Sequence, residues 1–97
     1  MKHYSDYVAE LEKGDIEAAF DAINRGEEII ASKNQSTGYS VLDKQGNRHP
    51  PKEVLRIAVK KRFKKDFAYK DRTFGGSPTN NELIKHGFKI INVGTRK

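Results

Sequence analysis

The chain of 97 residues contains no cysteine. It can therefore form no disulfide, no thiolate nucleophile, no iron–sulfur cluster and no cysteine-based zinc site. Its longest uninterrupted hydrophobic runs are two or three residues, which is far too short for a transmembrane helix. The N-terminus also lacks the hydrophobic stretch of a signal peptide. These absences predict a soluble, cytoplasmic protein with no membrane partner.

Histidine is scarce as well. The three histidines, His3, His49 and His86, are far apart in the sequence and share no metal-ligand spacing, so we predict no metal site. A lone histidine is more often a surface or packing residue than a ligand. Neither a Ser-His-Asp arrangement nor a carboxylate pair suited to acid–base chemistry can be identified. We therefore predict no catalytic residue and no cofactor, which argues against an enzyme.

Positive charge is abundant and unevenly placed. Nineteen Lys and Arg against thirteen Asp and Glu give a net charge of +6. Residues 1–43 hold four basic and nine acidic residues, a net of −5, whereas residues 44–97 hold fifteen basic and four acidic, a net of +11. The basic part is a plausible surface for a polyanion such as nucleic acid. The alternative is a solvated, lysine-rich face that the acidic part partly neutralises.

Helical periodicity marks the first third of the chain. Two segments have apolar residues at i, i+3, i+4 and i+7, and they predict a helical hairpin. The apolar residues are Tyr4, Tyr7, Val8 and Leu11 in the first segment, and Ile16, Ala19, Phe20 and Ile23 in the second. Gly14 is expected to end the first helix and Asp15 to be the N-cap of the second. Residues 27–32 are expected to add one or two helical turns.

Strand signals begin at Tyr39. Residues 39–41 predict a strand, residues 43–47 a turn, and residues 48–49 a return strand that Pro50 and Pro51 stop. Pro51 suits the first turn of a helix, because its missing N–H has no partner there in any case. That helix is predicted over residues 52–63. Its inward residues are expected to be Val54, Leu55, Ala58 and Val59.

The last third of the chain predicts a helix and a strand. Ser77 is expected to cap a helix with Pro78 as its first residue, and Thr79 with Glu82 is a competing capping box. Leu83 and Ile84 are expected to point inward, and Gly87 is expected to follow the helix end. Residues 88–93 read as a final strand.

The predicted elements together give an α+β fold with an antiparallel sheet of about three strands. We predict one domain over residues 1–97, with an acidic helical part (1–33) and a basic α/β part (39–97).

Five cations within six positions, Lys60, Lys61, Arg62, Lys64 and Lys65, end the predicted 52–63 helix. Cations near a helix C-terminus are favourable in any protein, but that preference hardly accounts for five.

Gly75 and Gly76 lead into the helix start at Ser77, where free N–H groups can hold a phosphate. The alternative is that the two glycines form only a turn. Phe67 and Tyr69 lie among cations, and they could stack on bases or fold back as a small satellite core.

A set of short motifs resembles the N-terminal head module of McrA-type HNH restriction endonucleases, which cut modified DNA. The motifs span roughly residues 15–93 and are Gly38-Tyr39-Ser40-Val41, Gly46-Asn47-Arg48, Pro51-Lys52-Glu53-Val54, Ile57-Ala58, Phe74-Gly75-Gly76, Thr79-Asn80, Leu83 and Gly87-Phe88. The chain departs from the family pattern in three places. It lacks the serine before Gly75, and it has His49 in place of tyrosine and His86 in place of leucine. The resemblance implies a DNA-facing accessory module, because the family's nuclease activity lies in a separate HNH domain.

These observations together predict a non-catalytic DNA-binding module, either an accessory or a modification-sensing part of a restriction or defence nuclease. The predicted nucleic-acid-binding residues are Lys52, Arg56, Lys60, Lys61, Lys64, Lys65, Arg72, Gly75, Gly76 and Ser77. The alternative is a small protein-interaction module, such as a phage- or plasmid-encoded inhibitor that docks on a defence protein. DNA is the expected partner, with a nuclease or another defence protein as a further one.

Overall fold

The computed structural model describes residues 3–28, 38–67 and 77–92. Within them the chain forms four helices and a three-stranded antiparallel sheet, so the predicted α+β class is confirmed. The helices are α1 (Tyr4–Ala9), α2 (Lys13–Asn24), α3 (Pro51–Phe63) and α4 (Ser77–Lys85). The strands are β1 (Tyr39–Leu42), β2 (Arg48–His49) and β3 (Lys89–Asn92).

Helix α3 lies at the centre of the fold. It contacts α1, α2, α4 and β1, and it is buried almost all the way round over its first two turns. The four residues predicted to face inward are buried, and so are Pro51, Glu53 and Ile57. Burial on nearly every side is typical of a core helix and not of a surface one. Pro51 occupies the first turn of α3, as its missing N–H predicts.

The predicted N-terminal hairpin is confirmed, but the predicted junction between its helices is wrong. Helix α2 begins at Lys13 with Glu12 as its N-cap, so Gly14 lies inside the helix. Asp15 is the third helical residue, and its carboxylate accepts the backbone N–H of Glu12 at 2.8 Å. An acidic side chain three residues after the cap satisfies the N–H that precedes the helix. Asp15 therefore still stabilises the start of α2, but from inside it.

Strand β1 is the middle strand of the sheet, between β2 and β3. Val41 faces His49 on one side and Ile90 on the other, and this face packs against the helices. Gly46, with φ of +84°, closes the β1–β2 turn, as expected for a residue without a side chain. The opposite face of the sheet carries Leu42, between Arg48 and Lys89.

Aromatic side chains close the other end of the core. Tyr7 packs against Phe63 with ring centroids 5.0 Å apart, and Phe67 packs against both Tyr4 and Tyr7 at 5.1 and 5.6 Å. Phe67 thus folds back onto the core, which is the satellite-core alternative. Tyr69 lies outside the described residues, so its base-stacking alternative stays open.

Helix α4 buries one of the two residues that were predicted to face the core. Leu83 is fully buried as expected, whereas Ile84 is 53% exposed, so the expectation that both face inward is wrong for Ile84. Two adjacent helical residues are about 100° apart around the axis, and a helix resting on one face of the core buries only one of them. Gly87 follows the helix with φ of +91°, as predicted.

Glu27 and Glu28 are not helical, and the remainder of the predicted 27–32 turns lies outside the described residues. In the described part of the chain, no helix has the length and apolar character needed to cross a membrane.

Two isoleucine substitutions test the central position of α3. Ile57→Ala removes a fully buried side chain from α3 and should lower the free energy of unfolding by about 2–5 kcal/mol. Ile84→Ala removes the same atoms from the exposed face of α4 and should change it by less than about 0.5 kcal/mol. Urea denaturation measures both. Equal losses for the two variants would contradict this packing.

Candidate nucleic-acid interface

The predicted cation cluster is located at the C-terminal end of α3. Lys60, Lys61 and Arg62 lie in its last turn, where the partial negative charge of the helix end favours them. Lys64 ends the helix in the left-handed conformation, with φ of +60°, and its backbone N–H donates to the carbonyl of Lys60 at 2.9 Å. Lys65 follows on the surface. The cluster is thus a compact positive end of one helix.

Arg56 has two carboxylate partners. Its Nε donates to Glu53 Oε1 at 2.8 Å and its Nη1 to Asp66 Oδ1 at 2.9 Å, and its side chain is only 14% exposed. Burial by itself would lower the pKa of Arg56, but the bonds to Asp66 and Glu53 raise it above its usual value. Because Glu53 is fully buried, Arg56 supplies the positive charge that a buried carboxylate requires.

The acidic first part of the chain neutralises two more cations of the cluster. Lys60 Nζ lies 3.2 Å from Glu28, with 39% of its side chain exposed. Arg62 Nη1 donates to Asp15 Oδ2 at 2.6 Å and to the carbonyl of Glu10 at 3.0 Å. The hydrogen bond to Asp15 raises the pKa of Arg62. Partial neutralisation, considered above as the alternative reading of the charge pattern, therefore occurs in the fold.

Three lysines retain their charge towards solvent. Lys61, Lys64 and Lys65 are exposed, and within residues 3–28, 38–67 and 77–92 none of their ammonium groups has a carboxylate partner. The ammonium group of Lys64 donates to the backbone carbonyl of Lys61 at 3.2 Å, which holds the Lys64 side chain against the end of α3. We refer to Lys61, Lys64 and Lys65 as the lysine tip.

The other predicted binding residues are dispersed or undescribed. Lys52 is exposed in the first turn of α3, and the rise of a helix places it about 14 Å along the axis from Lys61, the nearest residue of the lysine tip. Ser77 is the first residue of α4. Arg72, Gly75 and Gly76 lie outside the described residues. The fold thus brings Lys60, Lys61, Lys64 and Lys65 together, and Lys52 stands apart from them.

A buried polar network was not anticipated from the sequence. Asp43, at the end of β1, accepts hydrogen bonds at Oδ2 from Asn24 and His49, each at 2.8 Å. Its Oδ1 accepts the backbone N–H groups of Gln45 and Asn47 at 2.9 Å. An aspartate that opens a turn often accepts backbone N–H groups of the following residues, so this part of the network could have been predicted from the sequence. The histidine partner depends on strand register, which the sequence does not reveal.

The centre of the network is buried. The Asp43 and His49 side chains are 2% and 3% exposed, and the His49 ring stacks on Phe20 of α2 with centroids 4.8 Å apart. Burial would raise the pKa of Asp43, but the hydrogen bonds from Asn24, His49, Asn47 and Gln45 hold it well below its ordinary value. An ionised carboxylate only accepts hydrogen bonds, so His49 Nε2 carries a proton. Because Asp43 binds Asn24 of α2 and His49 of β2, the network attaches the sheet to α2.

Arg48 and Lys89 are two cations that the sequence analysis did not select. Both are exposed on the outer face of the sheet, and neither has a carboxylate partner among the described residues. The alternation of side chains along a strand could have placed both cations on the outer face, because the neighbours of Arg48 and Lys89 in their strands face inward. Their proximity also depends on the register.

Comparison with known proteins identifies no relative: no protein-family model, no curated protein and no solved structure matches this chain. The residues of the three described ranges also contain no cluster of histidine, aspartate and glutamate that could hold a metal ion.

Removing Asp43 tests the buried network. Asp43→Ala leaves His49, Asn24 and two backbone N–H groups without their common acceptor, so we expect the free energy of unfolding to fall by about 3–5 kcal/mol. Asp21→Ala, on the exposed face of α2, is the matched control and should change it by less than about 0.5 kcal/mol. Denaturant midpoints compare the two. A small effect of Asp43→Ala would show that the network contributes little.

Acid should weaken the same network. Because the folded state lowers the pKa of Asp43, its contribution to stability is complete above the ordinary value of 3.8 and declines as the pH falls below it. The unfolded chain binds the proton first, which favours unfolding. Asp43→Asn cannot titrate there, so between pH 5 and about 2 its unfolding free energy should fall less steeply than that of the wild type. Parallel curves would contradict the assignment.

Proposed function

We propose that this chain is a non-catalytic DNA-binding module that contacts the phosphate backbone through the lysine tip of α3. The observation that carries the proposal is the exposure of three adjacent lysines without carboxylate partners in the described part of the chain. Such a cluster attracts a polyanion, because binding releases the counterions condensed on the DNA.

The pairing pattern in the rest of α3 strengthens this proposal. Arg56, Lys60 and Arg62 each have a carboxylate on a neighbouring segment, so the fold neutralises positive charge where acidic residues are within reach. The three lysines of the tip have no carboxylate within ion-pair distance among the described residues, and their charge is part of the net charge of +6. In this proposal Arg56 and Arg62 hold the fold together, Lys60 contributes the remaining part of its charge, and Lys52 contacts DNA separately.

Contacts of this kind position a protein on DNA without reading its sequence. A Gly75–Gly76–Ser77 phosphate site before α4 stays a prediction, since Gly75 and Gly76 lie outside the described residues. The resemblance to the head module of McrA-type endonucleases supports a role as an accessory or modification-sensing part of a restriction or defence nuclease. The proposed module itself performs no cleavage, and its part is to bring such a nuclease to DNA.

The salt dependence of DNA affinity tests this proposal. For the wild type we expect log K for a short duplex to fall linearly with log salt, with a slope of about −0.9 for each phosphate contacted. The triple variant Lys61→Ala, Lys64→Ala, Lys65→Ala should bind more weakly, and its slope should be smaller in magnitude by about 2.7. Fluorescence anisotropy at several salt concentrations measures both quantities.

A matched control separates local contact from total charge. The triple variant Lys13→Ala, Lys44→Ala, Lys85→Ala removes the same charge from three exposed lysines. The described structure pairs Lys44 with Glu17 and Lys85 with Glu82, and places Lys13 over the Phe88 ring. This control should nearly retain the wild-type slope. Wild-type protein with no measurable DNA affinity at low salt would overturn the proposal and favour the protein-interaction alternative.

A further inference from the structure

A row of three side chains crosses the outer face of the sheet. Leu42 of β1 is paired with Arg48 of β2 on one side and with Lys89 of β3 on the other. Residues paired across neighbouring strands point to the same face, so the three side chains stand together, opposite the face that packs on the helices. Neighbouring strands are spaced at about 4.8 Å, which places the two cations roughly 10 Å apart at the backbone.

The charge on this face is of one sign. The residues that share this face are Ser40, Leu42, Arg48, Lys89 and Ile91; none is acidic, Ser40 is buried, and the two cations are the exposed members. Arg48 and Lys89 are exposed, and neither has a carboxylate partner in the described parts of the chain. Leu42 is half-buried between them.

We propose that this row, Arg48–Leu42–Lys89, is a second contact surface for the DNA backbone, distinct from the lysine tip. Duplex DNA carries one negative charge for about every 1.7 Å of its axis, so two cations roughly 10 Å apart each meet a phosphate. Arginine presents a planar fork of donors to phosphate oxygens, and lysine acts as a point charge. This inference rests on the proposed function and adds a second surface to it.

The test removes both cations while preserving strand-forming side chains. The double variant Arg48→Thr, Lys89→Thr should bind a duplex more weakly, and its salt slope should be smaller in magnitude than that of the wild type by about 1.8. The charge-conserving variant Arg48→Lys, Lys89→Arg should keep the wild-type slope. The matched control Lys44→Thr, Lys85→Thr removes two lysines that have carboxylate partners and should leave the slope nearly unchanged. Urea midpoints establish that each variant is folded.

The outcomes separate this surface from the lysine tip. A smaller slope in the Thr variant, with the slope retained in the charge-conserving variant, supports the row as a phosphate contact. Wild-type binding with an unchanged slope in the Thr variant overturns the row and leaves the proposed function intact. Equal slope losses in the Thr variant and in the matched control also overturn it, because total charge then accounts for the effect. Wild-type protein that binds no duplex at low salt overturns the row together with the proposed function.

Discussion

The fold depends on the burial of α3 from nearly every side. A helix that is buried on nearly every side needs neighbours on nearly every side. In this small chain the other helices and β1 pack around α3. The helical hairpin, α4 and β1 each bring apolar side chains to α3, and together they form one hydrophobic cluster. The exposed cations at the C-terminal end of α3, Lys61, Arg62, Lys64 and Lys65, follow the part of the helix that is buried.

Two kinds of polar interaction secure the elements around α3. At one end, the carboxylate of Asp43 gathers donors from α2, from its own turn and from β2, so one buried charge fixes the position of the sheet. At the other end, pairs such as Arg62 with Asp15 join α3 to the acidic N-terminal part. The uneven charge along the chain therefore serves in part to form ion pairs between the acidic N-terminal part and α3. Only the cations left over are available to an external partner.

Much of the fold could be predicted from the sequence, because the relevant signals are local. Helical periodicity, Pro51 at a helix start and Gly87 after a helix end each act within a few residues, and the structure confirms them. The failures at Asp15 and Ile84 concern boundaries and facing, which depend on neighbouring elements. The candidate site was harder to predict, since charge counting cannot tell which cations have carboxylate partners. The buried Asp43–His49 bond and the Arg48–Leu42–Lys89 row required strand register, which only the folded chain provides.

Lys64 ends α3 in a backbone conformation that suits glycine far better than lysine. A side chain in this left-handed region costs roughly 1–2 kcal/mol, so a chain optimised for folding alone would carry glycine here. Lysine at this position exchanges stability for a positive charge. Comparing this position across homologous sequences would therefore be informative in its own right. Relatives with glycine or asparagine at this position would gain an easier helix end and lose one cation, and would need positive charge elsewhere to retain the same attraction for a polyanion.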